Sequence, residues 1–182
     1  ESVLYDLASH DLSMILSITE NYPIKADVNA VFKNSKNIPD YINVILYFEK
    51  NLMAILNIDW ISPYKEHRFS VFGSKGSLIF DDTNDWKNKL IFNPSYLNKK
   101  NDIVYKPQVP ITVKEEEPLK KEIESFLKCI EYGKIPITDI KEAKNVQIVL
   151  DMIEKKLIKK YGLNNGFHWL KNTTKIYKEK YW

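Results

Sequence analysis

The stretch from Tyr41 to Trp60, YINVILYFEKNLMAILNIDW, decides the fold that the sequence predicts. Apolar residues occupy every second position on both sides of a polar break at 49–51. This period of two is typical of strands with one buried face. The residues of that face are Ile42, Val44, Leu46 and Phe48 before the break, and Leu52, Ala54, Leu56, Ile58 and Trp60 after it. Two such strands separated by three residues predict an antiparallel hairpin.

Further strand patterns flank this hairpin. Residues 25–33 alternate in the same way and predict a strand before it. After it, Arg68–Phe72 and Ser77–Asp81 predict two strands joined by Gly73-Ser-Lys-Gly76, whose glycines suit a tight turn. A phosphate-binding loop is the alternative interpretation of GSKG, although neither nucleotide-binding fingerprint has this spacing. Weaker patterns at 89–92 and 111–113 extend the predicted sheet.

Helical periodicity bounds the strands on both sides. Residues 4–20 predict one helix, and two more follow Pro118 and the cap at Asp139. We expect their apolar stripes to face the core. The stripe of the helix after Pro118 contains Leu119, Ile123, Phe126, Leu127 and Ile130. The order of elements predicts an α+β fold with an open, mainly antiparallel sheet and helices packed on one face.

Composition limits the classes of protein to which the chain can belong. Its 182 residues suit one domain. No apolar run reaches about 18 residues, so no membrane-spanning helix is predicted, and the N-terminus lacks the basic flank of a signal peptide. The single cysteine, Cys129, favours a reducing cytoplasm. Residues 155–182 contain eight lysines and one glutamate, but Arg68 is the only arginine, which argues against nucleic-acid binding. We predict no metal site.

The segment LYDLASHDLS, Leu4 to Ser13, carries the candidate chemistry. On a helix, Asp6 and His10 would lie one turn apart on the same face. A carboxylate at that distance can fix the imidazole tautomer and leave the other nitrogen to exchange a proton with a substrate. The alternative is a surface histidine near a helix start, which the spacing by itself leaves open.

Three blocks together resemble one family. They are LYDLASHDLS, DWISPYKEHRFSVFGSKGSLIFDD from Asp59 to Asp82, and EEPLKKEIESFLKCIEYGKIPIT from Glu116 to Thr138. The chain resembles the C-terminal domain of the glucose–fructose oxidoreductase/inositol dehydrogenase (Gfo/Idh/MocA) family of NAD(P)-dependent sugar dehydrogenases. Within it, the similarity is greatest to enzymes that oxidise C3 of UDP-linked N-acetyl amino sugars and their uronic acids. The resemblance covers residues 2 to about 158. We therefore predict one substrate-binding and oligomerisation domain over residues 1–158 and a basic, aromatic extension over 159–182.

The resemblance implies a two-domain parent. A Rossmann domain would bind NAD or NADP and supply a catalytic lysine, while this domain would supply the substrate pocket and a histidine. His10 would take the family histidine's place in proton transfer on the sugar hydroxyl, and Asp6 would match its acid. The 182 residues contain neither a GxGxxG fingerprint nor Glu-Lys-Pro. We therefore interpret the chain as an isolated domain that is inactive without the Rossmann domain.

Trp60, Lys65 and Arg68 are the candidate substrate-binding residues. They lie where a predicted strand ends and a loop begins, a common location for site residues. Lysine and arginine suit the pyrophosphate and carboxylate groups of a nucleotide sugar. A surface loop with solvated charges is the alternative.

Two functions therefore remain open. The first is the substrate-binding half of a dehydrogenase that takes a small-molecule sugar or nucleotide sugar. The second is a non-enzymatic binding or oligomerisation module with the same fold. In both, the apolar outer face of the strand at 41–48 favours a homo-oligomer formed through the sheet, as in relatives.

Overall fold

A computed structural model describes residues 2–163 of the chain. It contains two compact units. The first combines residues 2–62 with 137–163, and the second is Pro63–Pro136. The aromatic part of the predicted extension lies outside the described residues, so the boundary at 158 stays a prediction.

The first unit is a three-stranded antiparallel sheet with helices on one face. Its elements are α1 (Val3–Asp6), α2 (Ala8–Thr19), β1 (Lys25–Val31), β2 (Tyr41–Tyr47), β3 (Met53–Asp59) and α4 (Ile140–Tyr161). Strand β2 lies in the middle, and Val28, Val44 and Leu56 align across the three strands. All three are buried, as the alternating pattern predicts.

The core of this unit lies between the sheet and the helices. Helix α4 packs on α2 and β1, while α1 and α2 also contact the sheet. Leu4, Leu12, Ile153 and Leu157 are fully buried there. The side chain of Asp139 caps α4 by accepting hydrogen bonds from two backbone N–H groups, as the sequence predicts.

The second unit contains a separate antiparallel sheet. Its elements are β4 (Arg68–Gly73), β5 (Gly76–Asp81), β6 (Leu90–Leu97), β7 (Ile103–Tyr105), β8 (Val109–Pro110) and a helix, α3 (Pro118–Tyr132). The strand order is β4-β5-β6-β7, and β8 pairs with β6. The predicted mainly antiparallel α+β class is confirmed, with the strands divided between two sheets.

Two local predictions are wrong. The helix predicted over 4–20 is interrupted at Leu7, so that α1 and α2 are separate. The apolar stripe of α3, expected in the core, is more than half exposed at each of its five positions, including Phe126. Periodicity specifies that a helix has an apolar face, but it does not specify what covers that face.

None of the helices in residues 2–163 combines the length and the apolar character needed to cross a bilayer.

Candidate functional site

The segment that bears His10 consists of α1 and α2, which follow each other at Leu7 and are held in place by buried apolar side chains. The Ser2 hydroxyl accepts a hydrogen bond from the Leu4 N–H and caps α1. Val3, Leu4, Ala8 and Leu12 are buried without measurable exposure. Four apolar side chains of these two helices are thus buried, whereas the side chains of Asp6 and His10 are exposed.

Tyr5 connects α1 to α4. Its hydroxyl donates a hydrogen bond to the Glu154 carboxylate, which is buried on α4. Burial raises the pKa of the Tyr5 phenol, and the nearby Glu154 charge raises it further. Sequence reasoning missed this pair. The available signal was an acid next to Ile153 inside an apolar helical stripe.

Asp6 and His10 do not interact in this structure. Within residues 2–163, no hydrogen bond or ion pair joins the two side chains. The break at Leu7, with φ −105° and ψ −43°, separates them onto two helices. The paired role of the two residues stays a prediction.

Trp60 is fixed at the end of β3 by Asp40. The indole Nε1–H donates to Asp40 Oδ1 at 3.1 Å. The same carboxylate accepts hydrogen bonds from the Lys33 and Asn34 backbone N–H groups and from the Asn34 side chain. These donors hold the pKa of the Asp40 carboxyl well below its usual range. Trp60 is nevertheless 40% exposed, so part of its ring surface is accessible.

Lys65 and Arg68 lie in the second unit and bind different carboxylates. Arg68 pairs in register with Asp81, and its Nη2 lies 3.2 Å from Asp81 Oδ2. The Lys65 Nζ lies 3.9 Å from Asp82 Oδ2. The two basic side chains therefore contact neighbouring carboxylates, Asp81 at the end of β5 and Asp82 in the turn that follows it.

The five candidate residues are thus divided between the units. His10, Asp6 and Trp60 belong to the first, and Lys65 and Arg68 to the second.

The Gly73-Ser-Lys-Gly76 segment does not have the structure of a phosphate-binding loop. Gly73-Ser-Lys-Gly76 is the turn of the β4–β5 hairpin, as the sequence predicts, and no helix begins there. A Cβ on Gly76 would lie 2.2 Å from the Asn93 carbonyl oxygen, so this glycine serves the approach of β6. In residues 2–163, no group of three or more His, Cys, Asp or Glu side chains could hold a metal ion.

One protein-family model matches the N-terminal part of the chain. Residues 1–79 match the model described as the GFO/IDH/MocA C-terminal domain, which confirms the resemblance seen in the sequence. The matched region contains all five candidate residues. No curated protein matches the chain.

Solved structures of oxidoreductases share the fold. UDP-N-acetylglucosamine 3-dehydrogenase GnnA from Acidithiobacillus ferrooxidans superposes with a TM-score of 0.71 at 17% identity, over 85% of this chain and 46% of that one. An NAD binding oxidoreductase from Klebsiella pneumoniae gives 0.69 at 14%, over 87% and 49%. An oxidoreductase domain protein from Kribbella flavida gives 0.64 at 16%, over 87% and 48%. The chain thus spans about half the length of these proteins.

Proposed function

Because residues 1–79 match the C-terminal domain of the GFO/IDH/MocA oxidoreductases, we propose that this chain is the substrate-binding and catalytic-histidine domain of an NAD(P)-dependent sugar dehydrogenase. The proposed reaction is oxidation of a hydroxyl group on a sugar or nucleotide sugar, at C3 of a UDP-N-acetyl amino sugar. The observation that carries the proposal is that the matched residues include the candidate catalytic and binding side chains. The cofactor, NAD or NADP, would be bound by a separate nucleotide-binding domain.

His10 is the proposed proton-transfer residue. Its imidazole is exposed on α2, whose first turns are anchored by buried Ala8 and Leu12. An exposed imidazole on a fixed helix can accept a proton from a sugar hydroxyl placed within hydrogen-bond distance. Asp6 is its proposed partner, which requires the carboxylate to reach the imidazole when substrate is bound.

Trp60, Lys65 and Arg68 are the proposed substrate-binding residues. The Asp40 hydrogen bond fixes the indole of Trp60, and an immobilised aromatic ring can pack against a sugar or base with little further loss of entropy. Lys65 offers an ammonium group on a side chain that is 77% exposed. Arg68 is also exposed, although Asp81 already binds two of its nitrogens.

The first experiment is to read the coding sequence upstream of residue 1. A unit of about 120–140 residues with a GxGxxG fingerprint supports the proposal, since this is the size of a nucleotide-binding domain. Absence of such a unit would overturn it. We expect the 182-residue chain by itself to form no NADH with UDP-N-acetylglucosamine or its uronate.

Replacing His10 by glutamine tests the catalytic role in the complete gene product. Loss of a general acid–base group lowers kcat by about 10²–10⁴-fold, while the KM for the sugar should change little. Asp6→Asn should cause a smaller loss. Ser17→Ala, an exposed change on the same helix, is the matched control. NADH formation followed by absorbance measures all three, and a His10→Gln enzyme with wild-type kcat would exclude the proposed role.

A second function, assembly through the sheet, is favoured by the outer face of the first unit. Val31, Met53 and Ile55 are each more than half exposed on that face. We propose that a second copy of the chain covers it. Ile55→Asp should then lower the mass measured by light scattering to that of a monomer, because an aspartate would be buried without a partner. Phe72→Asp, at an 82% exposed position in the second unit, is the control. A wild-type chain that is monomeric at high concentration would contradict this proposal.

A further inference from the structure

A row of three asparagines crosses the sheet of the first unit. Asn29, Asn43 and Asn57 occupy matching register positions on β1, β2 and β3. The residue before each of them is buried in the core, so the asparagines lie on the opposite, outer face of the sheet. We call these three residues the asparagine row.

Side-chain hydrogen bonds join the asparagine row into one chain. The Asn29 Nδ2 donates to Asn43 Oδ1 at 3.2 Å, and the Asn43 Nδ2 donates to Asn57 Oδ1 at 2.9 Å. At the β1 end, the Lys160 Nζ donates to Asn29 Oδ1 at 2.7 Å and to the Val28 carbonyl at 2.8 Å. Lys160 therefore fixes the direction of the chain, in which each amide donates towards Asn57.

The sheet uses only part of the hydrogen-bonding capacity of the asparagine row. The Asn57 Oδ1 accepts from Asn43 and, at 3.0 Å, from the Tyr41 hydroxyl. Among the described residues, none accepts a hydrogen bond from the Asn57 Nδ2. Asn43 uses one hydrogen of its amide and one lone pair of its oxygen, and each group can make a second bond. The row therefore offers both donors and acceptors to a partner.

Apolar side chains lie on both sides of the asparagine row. In the same register, Ile45 and Ile55 follow on one side, and Tyr41 and Val31 follow on the other. Val31 and Ile55 are 51% and 55% exposed. A partner that covers these apolar residues also removes water from the amides between them. Burial of the amides is unfavourable unless the partner supplies hydrogen bonds in place of water.

We propose that the asparagine row fixes the register in which a second copy of the chain covers this face, with Asn43 of one copy against Asn43 of the other. This inference rests on the proposed assembly through the sheet. A purely apolar partner surface would leave the amides unpaired, whereas a second asparagine row supplies both acceptors and donors. Both copies use the same surface in a two-fold dimer, so two superposed rows bring their middle residues together at the axis. A single buried asparagine sets the register of coiled-coil helices by the same physical effect.

Opposite charges introduced at position 43 test this contact, with light scattering over a concentration series as the measurement. Asn43→Asp and Asn43→Lys should each raise the dimer dissociation constant by at least about a hundredfold, because like charges would meet at the axis. An equimolar mixture of the two variants should recover dimers, which also shows that both variants fold. Met53→Asp and Met53→Lys are the matched control, because Met53 is exposed on the same face but lies at the start of β3, away from the row. Their mixture should recover fewer dimers.

Three results would overturn the inference. They are wild-type affinity in the Asn43→Asp chain, a monomeric mixture of the position-43 variants when the wild type is dimeric, and equal recovery in the Met53 mixture. Dimers that dissociate on Ile55→Asp but not on Asn43→Asp retain the proposed assembly and reject only the asparagine row. A monomeric wild-type chain rejects the assembly, and this inference with it. Sugar oxidation by the complete gene product is tested separately and does not depend on either result.

Discussion

Asp40 shows how one buried side chain can order a candidate site. It is 3% exposed and accepts four N–H groups, of which one comes from Trp60. The carboxylate joins the loop after β1 to the end of β3. It therefore determines where the indole of Trp60 lies, although its own oxygens are occupied and face away from solvent.

Asp40→Asn should destabilise the fold and release Trp60. An amide keeps one acceptor oxygen but presents N–H groups where N–H donors already converge. We expect a lower urea midpoint and a change in the tryptophan emission spectrum. Asp102→Asn, in an exposed turn where Asp102 accepts from Asn98, is the control and should leave both near wild type.

The ionised Asp40 carboxylate should make the free energy of unfolding fall at acidic pH. Because its pKa is lowered in the folded state, the carboxylate contributes stability above the unfolded value of about 4, and this contribution is lost as the pH falls below that value. Urea midpoints measured between neutral and acidic pH should show a loss that is smaller in Asp40→Asn. Parallel curves for the two proteins would contradict this assignment.

At the scale of single elements, the β4–β5 turn depends on the absence of a side chain. Gly76 has φ +136°, and a Cβ there would lie 2.2 Å from the Asn93 carbonyl oxygen and 3.0 Å from a Phe92 ring carbon. The backbone of a paired strand cannot move aside without disrupting its hydrogen bonds. The glycine therefore sets the distance between β5 and β6.

Gly76→Ala should cost about 3 kcal/mol or more in unfolding free energy, from backbone strain together with the clash. Gly133→Ala is the matched control, because that glycine also has positive φ, +60°, but open space around it. Its cost should be about 1–2 kcal/mol, the penalty of the left-handed conformation alone. Urea denaturation measures both, and equal losses would show that the close approach to β6 is unimportant.

The elements also show what the sequence could predict. Alternation in Tyr41–Trp60 predicted the β2–β3 hairpin, because a period of two matches an extended chain with one buried face and does not match a helix. The break at Leu7 was not predictable, since helical spacing continues through it. The exposed face of α3 was not predictable for a related reason: Ile123 and Leu127 specify an amphipathic helix without specifying its neighbour.

The sequence predicted which residues are candidates for the site, but it did not predict which groups their side chains contact. A family resemblance pointed to His10 and Asp6. Trp60, Lys65 and Arg68 were predicted from their position at the end of a strand and from their chemistry. The sequence predicts the turn at Gly73–Gly76, but it does not predict which carboxylate each basic side chain contacts. Arg68 binds Asp81, which lies opposite it in the register of β4 with β5, and Lys65 approaches Asp82.

For the whole molecule, the two units differ in how much apolar surface they bury. Every fully buried apolar side chain among residues 2–163 belongs to the first unit, and Asp81 is the only buried residue in Pro63–Pro136. Hydrophobic burial is the dominant favourable contribution to folding, at about 25 cal/mol per Å². The first unit should therefore resist local opening better than the second.

Amide hydrogen exchange of the full chain tests this difference with an internal control. Strands β2 and β5 are both hydrogen-bonded on two sides, but Ile42, Val44 and Leu46 of β2 are fully buried whereas Leu78 of β5 is 38% exposed. Backbone pairing is thus matched, and burial is the variable. Exchange corrected for intrinsic rates should be at least about tenfold slower in β2 than in β5, because opening β2 exposes the core to water. Equal protection of the two strands, or slower exchange in β5, would mean that the second unit is stabilised by something other than its own apolar burial.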